Sequence, residues 1–350
     1  MAGIVFWIAF TSIVYVYAGY PLLLMLWRRL GRRLVRKQYQ ELSVSLVIAM
    51  HNERKNVKAK MQNCFELDYP ADKLQVIVSL DAPTDGTDIL LRECAGQNVD
   101  IVHCPVRRGK AEALNSGLAI ARGEIVMFAD AGQRLERSAV RELVANFADE
   151  SVGAVSGALV LLDAQAGEAT DGVGLYWRYE KKLRAMESDI HSVPGATGAI
   201  YAIRRKLFEP LTPGTILDDV VIPMRIVLGG KRAIFDPAAR AYDAVTQSPD
   251  GEYERKKRTL TGNYQLFAEL PRSLVPWRNP IFVQLISHKA GRLIVPYCLA
   301  ALFTSNLFLR DGPYRIFMFL QVMWYIMACV GWLVSHRGEM RRAQLRTVGQ

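Results

Sequence analysis

From residue 43 onward, short apolar runs rich in β-branched residues alternate with stretches whose apolar positions recur at helical spacing. Ser43 to Ala49, Gln75 to Leu80, Val99 to His103 and Glu124 to Ala129 predict strands. Asn56 to Leu67, a stretch from about Thr87, Lys110 to Ala121 and Ser138 to Phe147 predict the helices between them. Strands this short and this apolar suit a parallel sheet buried on both faces. Their alternation with helices argues for an α/β domain. Past residue 150 the alternation lapses. Val152 to Leu162 and Gly198 to Ile203 predict strands on either side of a charged amphipathic helix, Tyr176 to Glu187, so a mixed sheet is expected there.

Three further segments carry no charge: Ile4 to Leu26, Leu293 to Leu309 and Ile316 to Val334. A bilayer core needs about 20 helical residues, with roughly 17 as the lower limit, so all three qualify and the second only just. Tyr15, Tyr17, Tyr20, Trp27, Tyr297, Tyr314 and Trp332 suit interfacial anchoring. The first segment also admits a cleaved signal peptide, but no basic residue precedes it and no small-x-small site follows. Arg28, Arg29, Arg32, Arg33, Arg36 and Lys37 follow instead, the positive-inside mark of a retained anchor. The expectation is a multi-pass protein of the cell (inner) membrane, its N-terminus outside and its α/β domain cytoplasmic. The division is a 1–27 anchor, a 28–42 basic linker, the 43–262 domain, a 263–292 bridging segment, a 293–334 hairpin and a 335–350 basic tail. In the bridging segment Ile281, Phe282, Leu285 and Ile286 share one helical face, and Gln284, His288 and Arg292 another. That pattern fits a helix lying in the headgroup plane. An ordinary surface helix packed on the domain is the alternative.

Composition sharpens the membrane reading. The hydrophobic fraction of 51% over 350 residues is slightly high for a soluble protein and unevenly spread. A formal charge of +10 raises nucleic acid as a partner, but much of the excess flanks the membrane segments. Anionic lipid is a sufficient partner for it, and no nucleic acid is expected. The five cysteines form no CxxC pair, so reduced structural thiols are expected. His103 and His191 lack metal-ligand spacing.

Acidic residues mark the chemistry. Asp81 and Asp130 close two of the predicted strands, and ligands of open α/β sheets bind outside the carboxyl ends of their strands. Glu53 follows the first strand and offers an acceptor for a base or sugar. Lys110 starts a helix, where its charge opposes the helix dipole. An anionic phosphate bound nearby would justify that position, against the alternative of a solvated surface lysine. Asp218 and Asp219 precede Val220 to Leu228, where Asp219 is either a helix cap or a catalytic acid.

The ordered set comprises His51 to Glu53, Asp81 with Asp85 to Thr87, Gly109 and Lys110 with Leu114 and Asn115, Phe128 to Asp130, Gly195 to Gly198, and Leu217 to Asp219. Over roughly residues 43 to 262 it resembles the family-2 glycosyltransferases, the group that includes cellulose, chitin and hyaluronan synthases. The resemblance implies a GT-A, Rossmann-like nucleotide-sugar-binding domain, here with three transmembrane helices. It implies inversion at the anomeric carbon of a nucleoside-diphosphate sugar, with a UDP-linked donor expected. It gives Asp81 the base, Glu53 and Lys110 the nucleotide, Asp130 the diphosphate and its metal, and Asp219 the role of general base. Gly198, Asp218 and Arg258 fall on the acceptor and diphosphate side.

Two positions depart from the family pattern. The usual Asp-x-Asp is Asp130-Ala131-Gly132, so a divalent ion, Mg²⁺ or Mn²⁺, is expected with one acid missing and only Gln133 or water to fill the place. The Gln-x-x-Arg-Trp motif becomes Arg255 to Thr259, keeping Arg258 and losing the aromatic platform for an acceptor sugar. The main expectation is a membrane glycosyltransferase acting on a lipid-linked or saccharide acceptor in cell-envelope polysaccharide synthesis. The alternatives are a processive polysaccharide synthase and a catalytically weak nucleotide-sugar-binding partner in a membrane assembly or oligomer.

Overall fold

The computed structural model describes residues 1–96, 99–162, 174–244, 249–309 and 311–348. Its strands are β1 (Val44–Met50), β2 (Leu74–Asp81), β3 (Val99–Cys104), β4 (Ile125–Asp130), β5 (Arg134–Leu135), β6 (Val152–Leu162), β7 (Tyr201–Arg204) and β8 (Arg232–Ala244). They form one 8-stranded sheet in the order β3-β2-β1-β4-β7-β6-β8-β5. The β1, β2, β3 and β4 strands are parallel, and β7 runs antiparallel to both β4 and β6. The order reverses at β1 and β4, and a crevice opens at such a switch point, outside the carboxyl ends of the strands.

The apolar runs are continuous because both faces of the sheet are covered. Successive side chains alternate sides. Leu46, Ile48 and Met50 enter one core with Val78, Leu80, Met127, Leu143 and Phe147. Val47, Ile77, Val126 and Phe128 enter the other, with Leu114, Val221, Met224 and Val227. The second core is closed by the helices Lys110–Ala119 and Asp218–Leu228.

The β8 strand was not anticipated from the sequence. Pro237 lacks the N–H a ladder needs, and the β6–β8 register shifts between Ser156 and Ala158. Asp236 at that break is buried and accepts from Ala238 N (3.0 Å) and Asn146 Nδ2 (2.7 Å). The predicted strand at Gly198 begins at Tyr201, and Thr197 and Ile200 before it form an isolated bridge. The helix Pro249–Glu269 runs through the boundary expected at residue 262.

By contacts the chain divides into two compact units, one of Met1–Leu23, Thr246–Leu260 and Ser287–Gln350, the other of Leu24–Val245 and Thr261–Ile286. In the second unit, residues of the basic stretch 28–42 are tied down. Arg28 pairs with Asp189 at 2.6 Å, Lys37 with Asp236 at 2.8 Å and with Glu142, and Arg33 N donates to Asp189 O at 2.7 Å. Ile281 and Leu285 of the bridging segment are buried in the second core, and Gln284 is buried beside them.

In the first unit, Phe6 and Ala9 pack with Leu302. Among the described residues two helices are long and apolar enough to cross a membrane, Ala2–Leu30 and Gly312–Leu333, with mean hydropathies of 1.7 and 1.9. The latter leaves Ile316, Phe319, Trp324, Met327 and Val330 exposed, as a lipid-facing helix does. The third expected span, Leu293 to Leu309, falls on the helix Gly291–Asn306.

Candidate functional site

Three loops build one side of the crevice. His51 Nδ1 lies 2.6 Å from Asp81 O, and Asn52 Oδ1 accepts Thr84 N at 2.8 Å. These bonds join the turns after β1 and β2, and both turns hold non-glycine residues at positive φ, Asn52 at 53° and Ala82 at 44°. Such strain costs on the order of 1–3 kcal/mol per residue and clusters where ligands are gripped. Glu53 N donates to Thr87 Oγ1 at 2.9 Å, and Glu53 Oε2 accepts Asn56 Nδ2 at 2.5 Å. Thr87 Oγ1 in turn donates to Asp85 Oδ1 at 2.5 Å, and that bond holds the Asp85 carboxyl below its usual range. Asp81 draws in the third loop: its carboxylate oxygens accept Arg108 N at 2.8 Å and Gly109 N at 2.9 Å. Gly109 has φ of 90°, a conformation that side chains disfavour, and it hands the chain to the helix starting at Lys110.

The other side gathers acids around one lysine. Lys110 Nζ is 2.9 Å from Asp130 Oδ1 and 3.2 Å from Asp218 Oδ1. Burial alone would push the Lys110 ammonium down, but Asp218 and Asp130, with Asp219 behind them, hold it above the usual lysine range. Tyr201 donates its hydroxyl to Asp218 Oδ2 at 3.0 Å. The register Phe128↔Tyr201 stacks the two rings at 4.5 Å, which carries the hydroxyl to that carboxylate. Burial, then Asp218 and Asp219, raises the Tyr201 phenol well above its ordinary value, so it stays a donor.

Gly198 closes the cluster. A Cβ there would lie 3.1 Å from Asp219 Oδ2 and 3.8 Å from Asp130 Oδ2, so both acids face the same spot. The helix bearing Asp219 does not use that residue as its cap, the alternative the sequence left open. Its cap position is Leu217, without a side-chain cap bond, and Asp218 and Asp219 occupy the first turn. There the helix dipole favours negative charge. Pro223, four residues on, has no N–H for the Asp219 carbonyl. Ala196 N fills that place at 2.6 Å.

Asp130 is the one acid left in the shortened metal motif. Gln133 Nε2 donates to Asp243 Oδ2 at 2.9 Å, while Gln133 Oε1 is buried with no hydrogen-bond partner among the described residues. Among the described residues no group of three or more His, Cys, Asp or Glu side chains is set to hold a metal ion. This donor set fits an ion that takes most of its ligands from a diphosphate and one carboxylate from the protein.

Glu53, Asp81, Lys110, Asp130, Gly198, Asp218 and Asp219 thus lie along the carboxyl edge of the sheet. Arg258 is exposed on the helix Pro249–Glu269 and belongs to the other unit. The sequence reading missed Tyr201 and also Arg184, whose guanidinium bonds Thr197, Ser156 and Gly195. Neither carries a local signal: each meets its partners only across the fold.

This fold and site define a glycosyltransferase domain of the GT-A kind. Residues 45–212 match the model of glycosyl transferase family 2, so the chain carries a family-2 domain. It is similar to the probable glycosyltransferase YdaM of Bacillus subtilis, 26% identical over 251 residues, covering 65% of this chain and 57% of that protein. It is also similar to the poly-β-1,6-N-acetyl-D-glucosamine synthase of Staphylococcus aureus, 23% identical over 262 residues, covering 70% and 61%. The matched region therefore spans about three fifths of these relatives' lengths. Among solved structures, the mannosyltransferase PcManGT of Pyrobaculum calidifontis, in complex with GDP-Man and Mn²⁺, superposes with a TM-score of 0.72. The two are 26% identical, and the match covers 93% of this chain and 98% of that one.

Proposed function

We propose that the protein is a membrane-bound inverting glycosyltransferase that moves a sugar from a nucleoside-diphosphate donor to a lipid-linked or saccharide acceptor. The observation that carries this reading is the convergence of Asp219 and Asp130 on Gly198, with Lys110 between Asp130 and Asp218. The reaction needs a base for the acceptor hydroxyl and positive charge for the leaving diphosphate. Asp219 takes the hydroxyl proton as that oxygen attacks the anomeric carbon. The bond from that carbon to the diphosphate oxygen breaks on the opposite face, and the configuration inverts. Lys110 meets the charge that develops on the diphosphate, and the amide-rich turns around Asp81 and Glu53 hold the nucleoside. Asp130 would hold a Mg²⁺ or Mn²⁺, which when bound supplies further charge to the diphosphate. Asp218, fixed by Tyr201 and Lys110, keeps the lysine in place. Arg258 is proposed on the acceptor or diphosphate side.

The donor need not be UDP-linked, because the well-matched PcManGT structure contains GDP-Man. Similarity to a poly-β-1,6-N-acetyl-D-glucosamine synthase favours a second reading, a processive synthase. The protein is proposed to sit in the cell membrane on its apolar helices, its N-terminus outside and the catalytic domain cytoplasmic.

The test is nucleoside-diphosphate release by detergent-purified protein across UDP-, GDP- and other nucleotide sugars, with lipid-linked and free saccharide acceptors. Acceptor-dependent release from one or a few donors is expected. Release from none, by protein that binds a nucleotide sugar, would leave it a binding partner and not a transferase.

A further inference from the structure

The turn from Gly195 to Gly198 contacts the proposed base twice: Ala196 N bonds the Asp219 carbonyl at 2.6 Å, and Gly198 abuts its carboxylate. The first contact exists because Pro223 leaves that carbonyl without its helical partner. The turn is short and irregular, so something outside it must hold it. Arg184, on the helix Gly174–Ile190, supplies three bonds. Nη1 donates to Thr197 Oγ1 at 2.6 Å, and Nη2 donates to Ser156 Oγ at 2.7 Å and to Gly195 O at 3.0 Å. Ser156 Oγ also accepts Thr197 N at 2.9 Å, which ties the turn to β6. The guanidinium lies 4.7 Å over the Phe235 ring, so its plane is set from below as well.

We infer that Arg184 is a positioning residue for the transfer reaction: through the Gly195–Thr197 turn, and the carbonyl that Pro223 leaves open, it fixes where the Asp219 carboxylate points. Arg184 touches the turn at both ends while Ala196 between them holds Asp219. A planar fork stacked on a ring is suited to this, and an ammonium on a flexible stem is not. The inference rests on Asp219 being the base.

Two substitutions test it. Arg184→Lys keeps the charge and loses the fork. Pro223→Ala restores a helical N–H that competes with Ala196 for the Asp219 carbonyl. Misplacing a catalytic group by about 1 Å costs on the order of 10²-fold, so Arg184→Lys is expected to lower kcat by about that factor. Its donor dissociation constant, measured by calorimetry with the nucleotide sugar, should stay within about twofold, since the fork bonds Ser156, Gly195 and Thr197 and not the turns around Asp81 and Glu53. Pro223→Ala should also lower kcat while its melting temperature holds or rises, because alanine suits a helix interior far better than proline. A merely structural role predicts the opposite pairing, a more stable helix with unchanged kcat. Wild-type kcat in Pro223→Ala, or parallel loss of kcat and donor affinity in Arg184→Lys, would overturn the inference. Asp219→Asn is the control. Normal turnover in it removes the base assignment itself, whereas a dead Asp219→Asn beside fully active Arg184→Lys removes only the role of Arg184.

Discussion

Two adjacent acids, Asp218 and Asp219, have different surroundings because they begin a helix. Asp218 is buried, bonded by Tyr201 and paired with Lys110. Asp219 is half-buried and faces Gly198. Neighbouring carboxylates held in unlike environments take unlike roles. Gly198→Ala tests the open side directly: its Cβ would press Asp219 Oδ2 at 3.1 Å, so kcat should fall while melting temperature changes little. Unaltered kcat would mean the Asp219 carboxylate does not work at that spot. Asp130→Ala should abolish metal-stimulated donor binding, read by titrating Mn²⁺ with a nucleotide sugar. Gly132→Asp restores the missing acid and should tighten the ion. Transfer that is indifferent to a chelator would refute the metal's part. At this scale most of the site was legible: Asp81, Asp130 and Lys110 stand at strand ends or helix starts, where periodicity alone makes a polar residue conspicuous. Tyr201 and Arg184 were not, since their meaning comes from Asp218 and Ser156, 17 and 28 residues away.

Among the elements, the parallel strands β1, β2 and β4 were readable because burial on both faces leaves a long apolar run, and β3, half-buried at the sheet edge, by its β-branched positions around Asp100. The β8 strand hid behind Asp236 and Pro237, which serve a bulge. The helix Pro249–Glu269 hid because its first half is charged on every face. The strap of residues 28–42 illustrates a different gap. Its cations suggest lipid, yet Arg28 and Lys37 are spent on Asp189, Glu142 and Asp236. His191, at the end of the helix Gly174–Ile190, belongs to this packed region, where its ring bonds Ser192 Oγ at 2.9 Å. Burial, with Arg33 and Arg232 nearby, pulls its imidazole from 6.5 down to about 4. The folded state therefore binds fewer protons than the unfolded state between those values, and stability falls as pH drops through that window. Melting curves of the detergent-solubilised protein should show this decline, and His191→Gln should flatten it. Parallel curves for the two proteins would contradict the assignment.

For the whole molecule, the open question is what the membrane helices do for the sugar. The three uncharged segments contain no charged residue to mark a polar path, and Thr259 stands where the synthases keep an aromatic platform. The protein should therefore add one or a few sugars. With donor in large excess, sizing by gel or mass spectrometry should find short products, and a high-molecular-weight polymer made by this chain alone would establish the processive reading. The central claim is simpler: the acidic edge of this sheet transfers sugar, with Asp219 as base. Its most direct test compares acceptor-dependent nucleoside-diphosphate release by wild type and Asp219→Asn at saturating nucleotide sugar. Losing a general base typically costs ~10²–10⁴ in rate, so the variant should lose turnover by that factor while binding the donor as wild type does. Near-normal turnover by Asp219→Asn would contradict the account.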